Sequence, residues 1–200
     1  TTTETTSAID VTAPNNYSVT VTNDDNGCFA TSPAITITED KTIPSASITS
    51  LETVLTCART SIELTAVTDA TNASYSWTTT ETTSAIDVTA PNNYSVTVTN
   101  DDNGCFATSP AITITEDKTA PTATITSTTT VLTCVITSIT ISASTDAVNA
   151  SYLWSNGETT PSIDVTLPDT YSVQITNNDN GCSTISNQII ITDGSNKPTA

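Results

Sequence analysis

Residues 1–42 and residues 78–119 are the same 42 letters, at a constant offset of 78 − 1 = 77 in sequence number. A third, diverged copy follows at the same offset. Ile163-Asp164-Val165-Thr166 answers Ile86-Asp87-Val88-Thr89, and Asn180-Gly181-Cys182 answers Asn103-Gly104-Cys105. A fixed period of this length means a tandem array. Each unit must then close its own core in about 77 residues, a size that is marginal without a covalent staple. The frame that fits best gives the end of one repeat at 1–41, complete repeats at 42–118 and 119–196, and the start of a further linker at 197–200. Lys41-Thr42-Ile43-Pro44 and Lys118-Thr119-Ala120-Pro121 are the junctions. Proline there stops strand pairing and stiffens the link.

Charge narrows the function. Four Lys+Arg stand against 21 Asp+Glu, a net charge of −17. Phosphate backbones and anionic membrane surfaces need a basic face, so nucleic acid and lipid headgroups are poor partners. No apolar run approaches the roughly 20 residues that span a bilayer. The chain has no His, which removes the commonest acid–base group near neutral pH and any Ser-His-Asp arrangement. An enzyme is not expected.

Five cysteines remain to be placed: Cys28, Cys57, Cys105, Cys134 and Cys182. One spacing recurs, 105 − 57 = 48 and 182 − 134 = 48. One disulfide per repeat, Cys57–Cys105 and Cys134–Cys182, is the simplest expectation, with the partner of Cys28 upstream of residue 1. Such bonds imply an oxidising compartment. The pairing has a topological difficulty. Cys57 precedes one strand and Cys105 follows another, so parallel strands would hold the two sulfurs a strand length apart. A bond between repeats, Cys57–Cys182, is the alternative, and buried free thiols are the bland one.

Within 42–118, short alternating runs are separated by turn signals, the pattern of an all-β sandwich. Ile62, Leu64 and Ala66 share one face, as do Tyr75 with Trp77, Ile86 with Val88, Tyr94 with Val96 and Val98, and Ile112 with Ile114. Thr fills the outward positions, as suits a solvated pleat. Asp101-Asp102-Asn103-Gly104 marks a tight turn, and Asn156-Gly157 marks another where the second repeat has Thr79-Thr80. Six runs with a split first strand make about seven strands.

Several motifs occur in fixed order: Thr53-Val54-Leu55-Thr56-Cys57, Tyr75-Ser76-Trp77, Asn93-Tyr94-Ser95-Val96-Thr97-Val98, and Asn103-Gly104-Cys105. The third repeat adds Tyr152-Leu153-Trp154-Ser155-Asn156-Gly157-Glu158-Thr159-Thr160. The whole chain resembles the immunoglobulin-like repeats of giant secreted Bacteroidetes adhesins, including the gliding-motility type. That resemblance implies type IX secretion through a C-terminal signal, display at the outer surface as a long filament, and a role in adhesion and gliding. Tyr94 and Tyr171 resemble the tyrosine-corner position, and Trp77 and Trp154 the strand-C tryptophan. A true immunoglobulin domain carries its second Cys inside strand F. Here Cys105 lies well beyond Tyr94, at an offset of 105 − 94 = 11, so a PKD-like strand arrangement fits equally.

The acidic loops are the candidate site. Asp69, Asp101 and Asp102 are expected at the end where the chain enters a repeat, and the preceding repeat delivers Glu39 and Asp40 there. Asp146, Asp179, Glu116 and Asp117 repeat the set one unit on. Five converging carboxylates would suit a hard cation wanting six to eight oxygens, so calcium at the junctions is one expectation. The other is that these are turn residues and solvated charge. No further cofactor is expected. Trp77 and Trp154 are read as core rather than sugar platforms. The exposed aromatics left for a glycan are Phe29 and Phe106. The expected role is therefore a stalk whose partners are neighbouring repeats and an unspecified surface or glycan ligand. A carbohydrate-binding module and a structural surface filament are the alternatives.

Overall fold

The computed structural model describes residues 4–195; the expected linker at 197–200 lies outside them. Residues 4–41 hold β1 (Asn15–Tyr17), β2 (Thr20–Thr22), β3 (Phe29–Thr31) and β4 (Ile35–Ile37). The next repeat holds β5 (Ser47–Thr49), β6 (Val54–Thr56), β7 (Ile62–Val67), β8 (Ala73–Trp77), β9 (Ala85–Val88), β10 (Asn92–Tyr94), β11 (Val96–Asn100), β12 (Phe106–Thr108) and β13 (Ile112–Asp117). The last holds β14 (Thr124–Ser127), β15 (Val131–Leu132), β16 (Ile139–Ser144), β17 (Ala150–Trp154), β18 (Ser162–Val165), β19 (Thr170–Tyr171), β20 (Val173–Asn177), β21 (Ser183–Ile185), β22 (Ile189–Ile190) and β23 (Thr192–Asp193).

In the middle repeat, β5, β7 and β9 form one antiparallel sheet. The facing layer is built from β8–β11–β12 and β10–β13–β6. Two long runs, Asn92–Asn100 and Phe106–Asp117, are each bent, at Ser95 and at Ser109-Pro110. The bend is held in both directions. The Val96 amide donates to Ser109 Oγ at 3.1 Å, and the Ser109 amide donates to the Val96 carbonyl at 2.9 Å. Ser109 is buried, so this reciprocal pair satisfies polar groups that would otherwise be costly there. Ser186 repeats the arrangement with Val173.

The sheets meet over Leu55, Ile62, Leu64, Trp77, Ile86, Val88, Tyr94, Val96, Val98 and Ile114. The equivalent positions one period on, from Leu132 to Ile191, make a separate second core. Alternation explains this directly: Ile62-Glu63-Leu64-Thr65-Ala66-Val67 reads buried and outward in turn. Each tryptophan closes its core and donates its indole N–H at 2.8 Å to a loop carbonyl, Thr83 or Thr160. Tyr94 and Tyr171 donate their hydroxyls to the carbonyls of Ala90 (2.8 Å) and Leu167 (3.1 Å), four positions back. This is the tyrosine-corner contact. The parallel pairing of β6 with β13, Thr56 beside Asp117, completes an immunoglobulin-like sandwich.

The stretch 1–41 carries the letters of 78–118. Val96 and Val98 are 0% exposed, whereas the same valines at 19 and 21 are 56% and 65% exposed. The local pairings β1–β4 and β2–β3 survive with the register of β10–β13 and β11–β12. In the middle repeat the sheet β5–β7–β9 supplies the facing side chains, Ile62, Leu64, Ile86 and Val88 among them, of the core that holds Val96 and Val98.

Candidate functional site

The feature that the fold assembles is the junction between repeats. Call the end where the chain comes into a repeat its leading end, and the other its trailing end. Because β6 runs parallel to β13 and Thr56 lies beside Asp117, Cys57 sits at the trailing end. Cys105 lies at the leading end, where it begins the run that finishes at Asp117 (117 − 105 = 12 steps). At about 3.3 Å per step the two cysteines lie on the order of 40 Å apart, whereas a disulfide needs Cα atoms within about 7 Å. The expected Cys57–Cys105 and Cys134–Cys182 bonds are therefore corrected. Cys57 is bonded to Cys182 of the next repeat, with Cα atoms 5.1 Å apart. Cys28, Cys105 and Cys134 are free thiols.

Around the bond, Thr56–Arg59 of one repeat docks against the Asn178–Cys182 turn of the next. The Ala58 amide donates to the Asn180 carbonyl at 3.2 Å. Asn180 is 2% exposed and works in two directions. Its Nδ2 donates to the Thr119 carbonyl of the linker at 3.0 Å, and its Oδ1 accepts the Cys182 amide at 2.9 Å. Gly181 has φ +72°, and a Cβ placed there would stand 2.6 Å from Ala58 Cβ. Backbone conformation and close approach both demand glycine at this position. Asn-Gly-Cys is thus a docking turn, and only its turn character was legible in the sequence.

The preceding junction has the same plan. Asn103 Nδ2 donates to the Thr42 carbonyl at 3.1 Å, and Asn103 Oδ1 accepts the Cys105 amide at 2.9 Å. Asp40 and Asp117 each accept the amide two positions on, from Thr42 at 2.9 Å and Thr119 at 3.1 Å. For Asp40 the Thr42 hydroxyl and then its amide, and for Asp117 the Thr119 amide and then its hydroxyl, with the nearby Asn103 or Asn180, hold both carboxyls below the usual carboxylate range. Lys41 pairs with Glu39, which raises the lysine's pKa, and Lys118 pairs with Glu116 at 2.9 Å. Arg59, at the docking loop, pairs with Glu52 at 2.9 Å. The described cations of this acidic chain thus sit at or beside junctions.

The expected calcium sites do not assemble. Among the described residues no three carboxylates or thiols come together to hold an ion. The physical reason is local. Asp69 and Asp146 accept backbone amides from Ser45 and Thr122, both at 2.7 Å, which also lowers their pKa values. Asp101 accepts from Ser74 at 2.8 Å, and Asp102 and Asp179 accept from Asn72 and Asn149 at 3.0 Å. Glu39, Asp40, Glu116 and Asp117 serve the linkers. Each loop aspartate thus accepts from its own partner, 24 to 30 positions away in sequence.

No protein-family model and no curated protein sequence matches the chain. Solved structures similar to it include the three N-terminal domains of the Highly Immunogenic Outer Capsid protein of bacteriophage RB49. The identity is 18%, the TM-score 0.42, and the match covers 75% of this chain and 59% of that one. The chain thus spans under two thirds of that structure's length. Mouse coronavirus receptor-binding domain complexed with its murine receptor matches at 11% identity and TM-score 0.37, over 74% and 98% of the two chains. Immunoglobulin domains 1–4 of Sidekick-1 match at 14% and 0.25, over 74% and 52%. The molecule is an all-β chain of tandem immunoglobulin-like sandwiches. Its inter-repeat disulfide marks a protein of an oxidising, extracellular or surface setting.

Proposed function

We propose that the chain is a stalk segment of a long cell-surface adhesin, which holds a binding element away from the cell and transmits force to it. One observation carries this reading: the two complete repeats are joined by a disulfide, and the linker hydrogen bonds beside it recur at the preceding junction. A loose string of domains has no need of a covalent bond across a joint. A load-bearing rod does, because strand hydrogen bonds yield under tension while a disulfide holds. The charge of −17 keeps neighbouring rods apart by repulsion, which weighs against a laterally packed coat.

Attachment at the outer membrane, type IX export and a part in gliding are finer proposals that rest on the adhesin resemblance. An antibody to the repeat, applied to live unpermeabilised source cells, tests them. Label travelling along the cell body supports a motility adhesin. Static label supports a passive stalk, and absent label refutes surface display.

Direct carbohydrate binding is a second reading, favoured by Phe29 and Phe106. They lie outward on paired strands of two copies and are 74% and 64% exposed. A glycan array probed with the chain and with Phe29→Ala/Phe106→Ala separates the readings. Binding lost in the variant would support a platform.

A further inference from the structure

We propose that the free thiols Cys105 and Cys134 are the two halves of one recurring bond, each built to receive a further repeat. Cys105 receives the trailing-end cysteine of a preceding complete repeat, and Cys134 bonds the Asn-Gly-Cys turn of a following one.

The spacing supports this. The bond in place joins cysteines at a separation of 182 − 57 = 125. The same spacing carries Cys134 to position 134 + 125 = 259, and carries Cys105 and Cys28 back to 105 − 125 = −20 and 28 − 125 = −97. All three fall outside residues 1–200, and the three are the free cysteines. Pairing at 48 would instead have left Cys28 alone unbonded.

Local structure supports it independently, because both half-sites are already formed without a partner. On the donor side, the Thr56 amide donates to the Arg59 carbonyl at 2.8 Å, and the Arg59 amide donates to Thr56 Oγ1 at 2.9 Å. Around the free Cys134, the Thr133 amide donates to the Ile136 carbonyl at 2.8 Å, and the Ile136 amide to Thr133 Oγ1 at 2.9 Å. On the receiving side, the Asn103–Cys105 turn matches the Asn180–Cys182 turn, each with φ +72° at its glycine. One difference marks the unpaired turn. A Cβ on Gly181 would strike Ala58, while one on Gly104 meets nothing within 4 Å. Cys182 is 2% exposed under its partner, and Cys105 is partly exposed.

Closing each bond removes two protons and two electrons from a pair of thiols. A thiol–disulfide oxidant takes them up and leaves as the dithiol. The consequence is an interleaved covalent ladder. Each bond spans a separation of 125, but the next begins one period on (134 − 57 = 77), so successive loops overlap by 125 − 77 = 48. Every backbone position inside the ladder is then bridged by at least one disulfide, and a single proteolytic cut leaves the array in one piece. Bond pattern and stalk role are separate matters, since an array with any other task would carry the same bonds.

The test lengthens the chain by one unit: residues 1–119 followed by residues 43–200. Both chains are folded in a glutathione redox couple, and thiols are counted by alkylation and intact mass. Circular dichroism confirms that the longer chain is folded. The original chain is expected to have one disulfide and three free thiols. The longer chain, with seven cysteines, is expected to have two disulfides and again three free thiols. Three disulfides and one free thiol in the longer chain would mean bonds within repeats and would overturn the proposal. A count still at one disulfide would overturn it equally, because the added repeat would then have failed to engage its neighbour.

Discussion

Removing the inter-repeat bond should uncouple the two complete repeats. The magnitude follows from the loops that the bond closes. If only the last repeat unfolds, Cys57 stays fixed beside Asp117, and the constrained loop runs from Asp117 to Cys182 (182 − 117 = 65). If only the middle repeat unfolds, Thr119 stays fixed to Asn180, and the loop runs from Cys57 to Thr119 (119 − 57 = 62). Chain entropy makes either event about 4.3 kcal/mol harder. Unfolding both repeats leaves the whole loop between the cysteines, a separation of 125, worth about 4.9 kcal/mol. Once one repeat has unfolded, the bond therefore protects the other by only about 0.6 kcal/mol, which is a coupling of about 3.7 kcal/mol. The oxidised chain should lose both repeats in one transition. Cys57→Ser/Cys182→Ser should lose them separately, with midpoints lower by roughly 1.2 M guanidinium, because about 4.9 kcal/mol is spread over a combined slope of about 4 kcal/mol/M for the two repeats. Trp77 and Trp154 are each buried in one core, so Trp154→Phe and Trp77→Phe backgrounds report the two repeats individually by fluorescence. Midpoints that separate in the oxidised chain as they do in the variant would refute the reasoning.

Three further outcomes are expected. Thr80 holds φ +75° in the turn where the third copy has Gly157 at +89°, so Thr80→Gly should stabilise the middle repeat by about 1 kcal/mol in chemical denaturation; a loss of stability would contradict the strain. Gly181→Ala should cost more than Gly104→Ala, by about 1–3 kcal/mol, because only the former meets Ala58; equal losses would remove the docking role of that turn. Melting in calcium and in chelator should coincide, since among the described residues no three carboxylates converge and the loop aspartates accept separate hydrogen bonds; a clear rise of the midpoint in calcium would restore the metal-site expectation.

Much of the sandwich was legible because its signal is local. The alternation at Ile62–Val67 and at Val96–Val98 places each side chain on a known face, and Trp77 and Tyr94 announce their roles by their phase with Tyr75 and Val96. The bend at Ser95 and Ser109 was not legible. Its hydrogen bonds join positions 13 apart in sequence, and neither serine stands out among so many. The Asn-Gly-Cys turn was read as a turn, yet its docking role depends on Ala58 of another repeat, which no local pattern encodes. The cysteine spacing misled in the same way. A periodic sequence fixes spacings only up to multiples of the period, so 48 and 48 + 77 = 125 were equally consistent with it. Strand direction, visible once β6 paired parallel to β13, decides between them. The acidic loops misled because sequence shows the density of carboxylates and hides which amide each one accepts.

The central claim is that successive repeats are covalently continuous, and single-molecule pulling from the two ends of the chain tests it most directly. With the disulfide intact, the stretch between Cys57 and Cys182, a separation of 125, should stay out of the extended length. Reductant should release it in one step, adding on the order of 440 Å of contour at about 3.5 Å per residue. Two separate gains of roughly 170 Å, each from a loop of about 48 residues, or no gain at all, would contradict it.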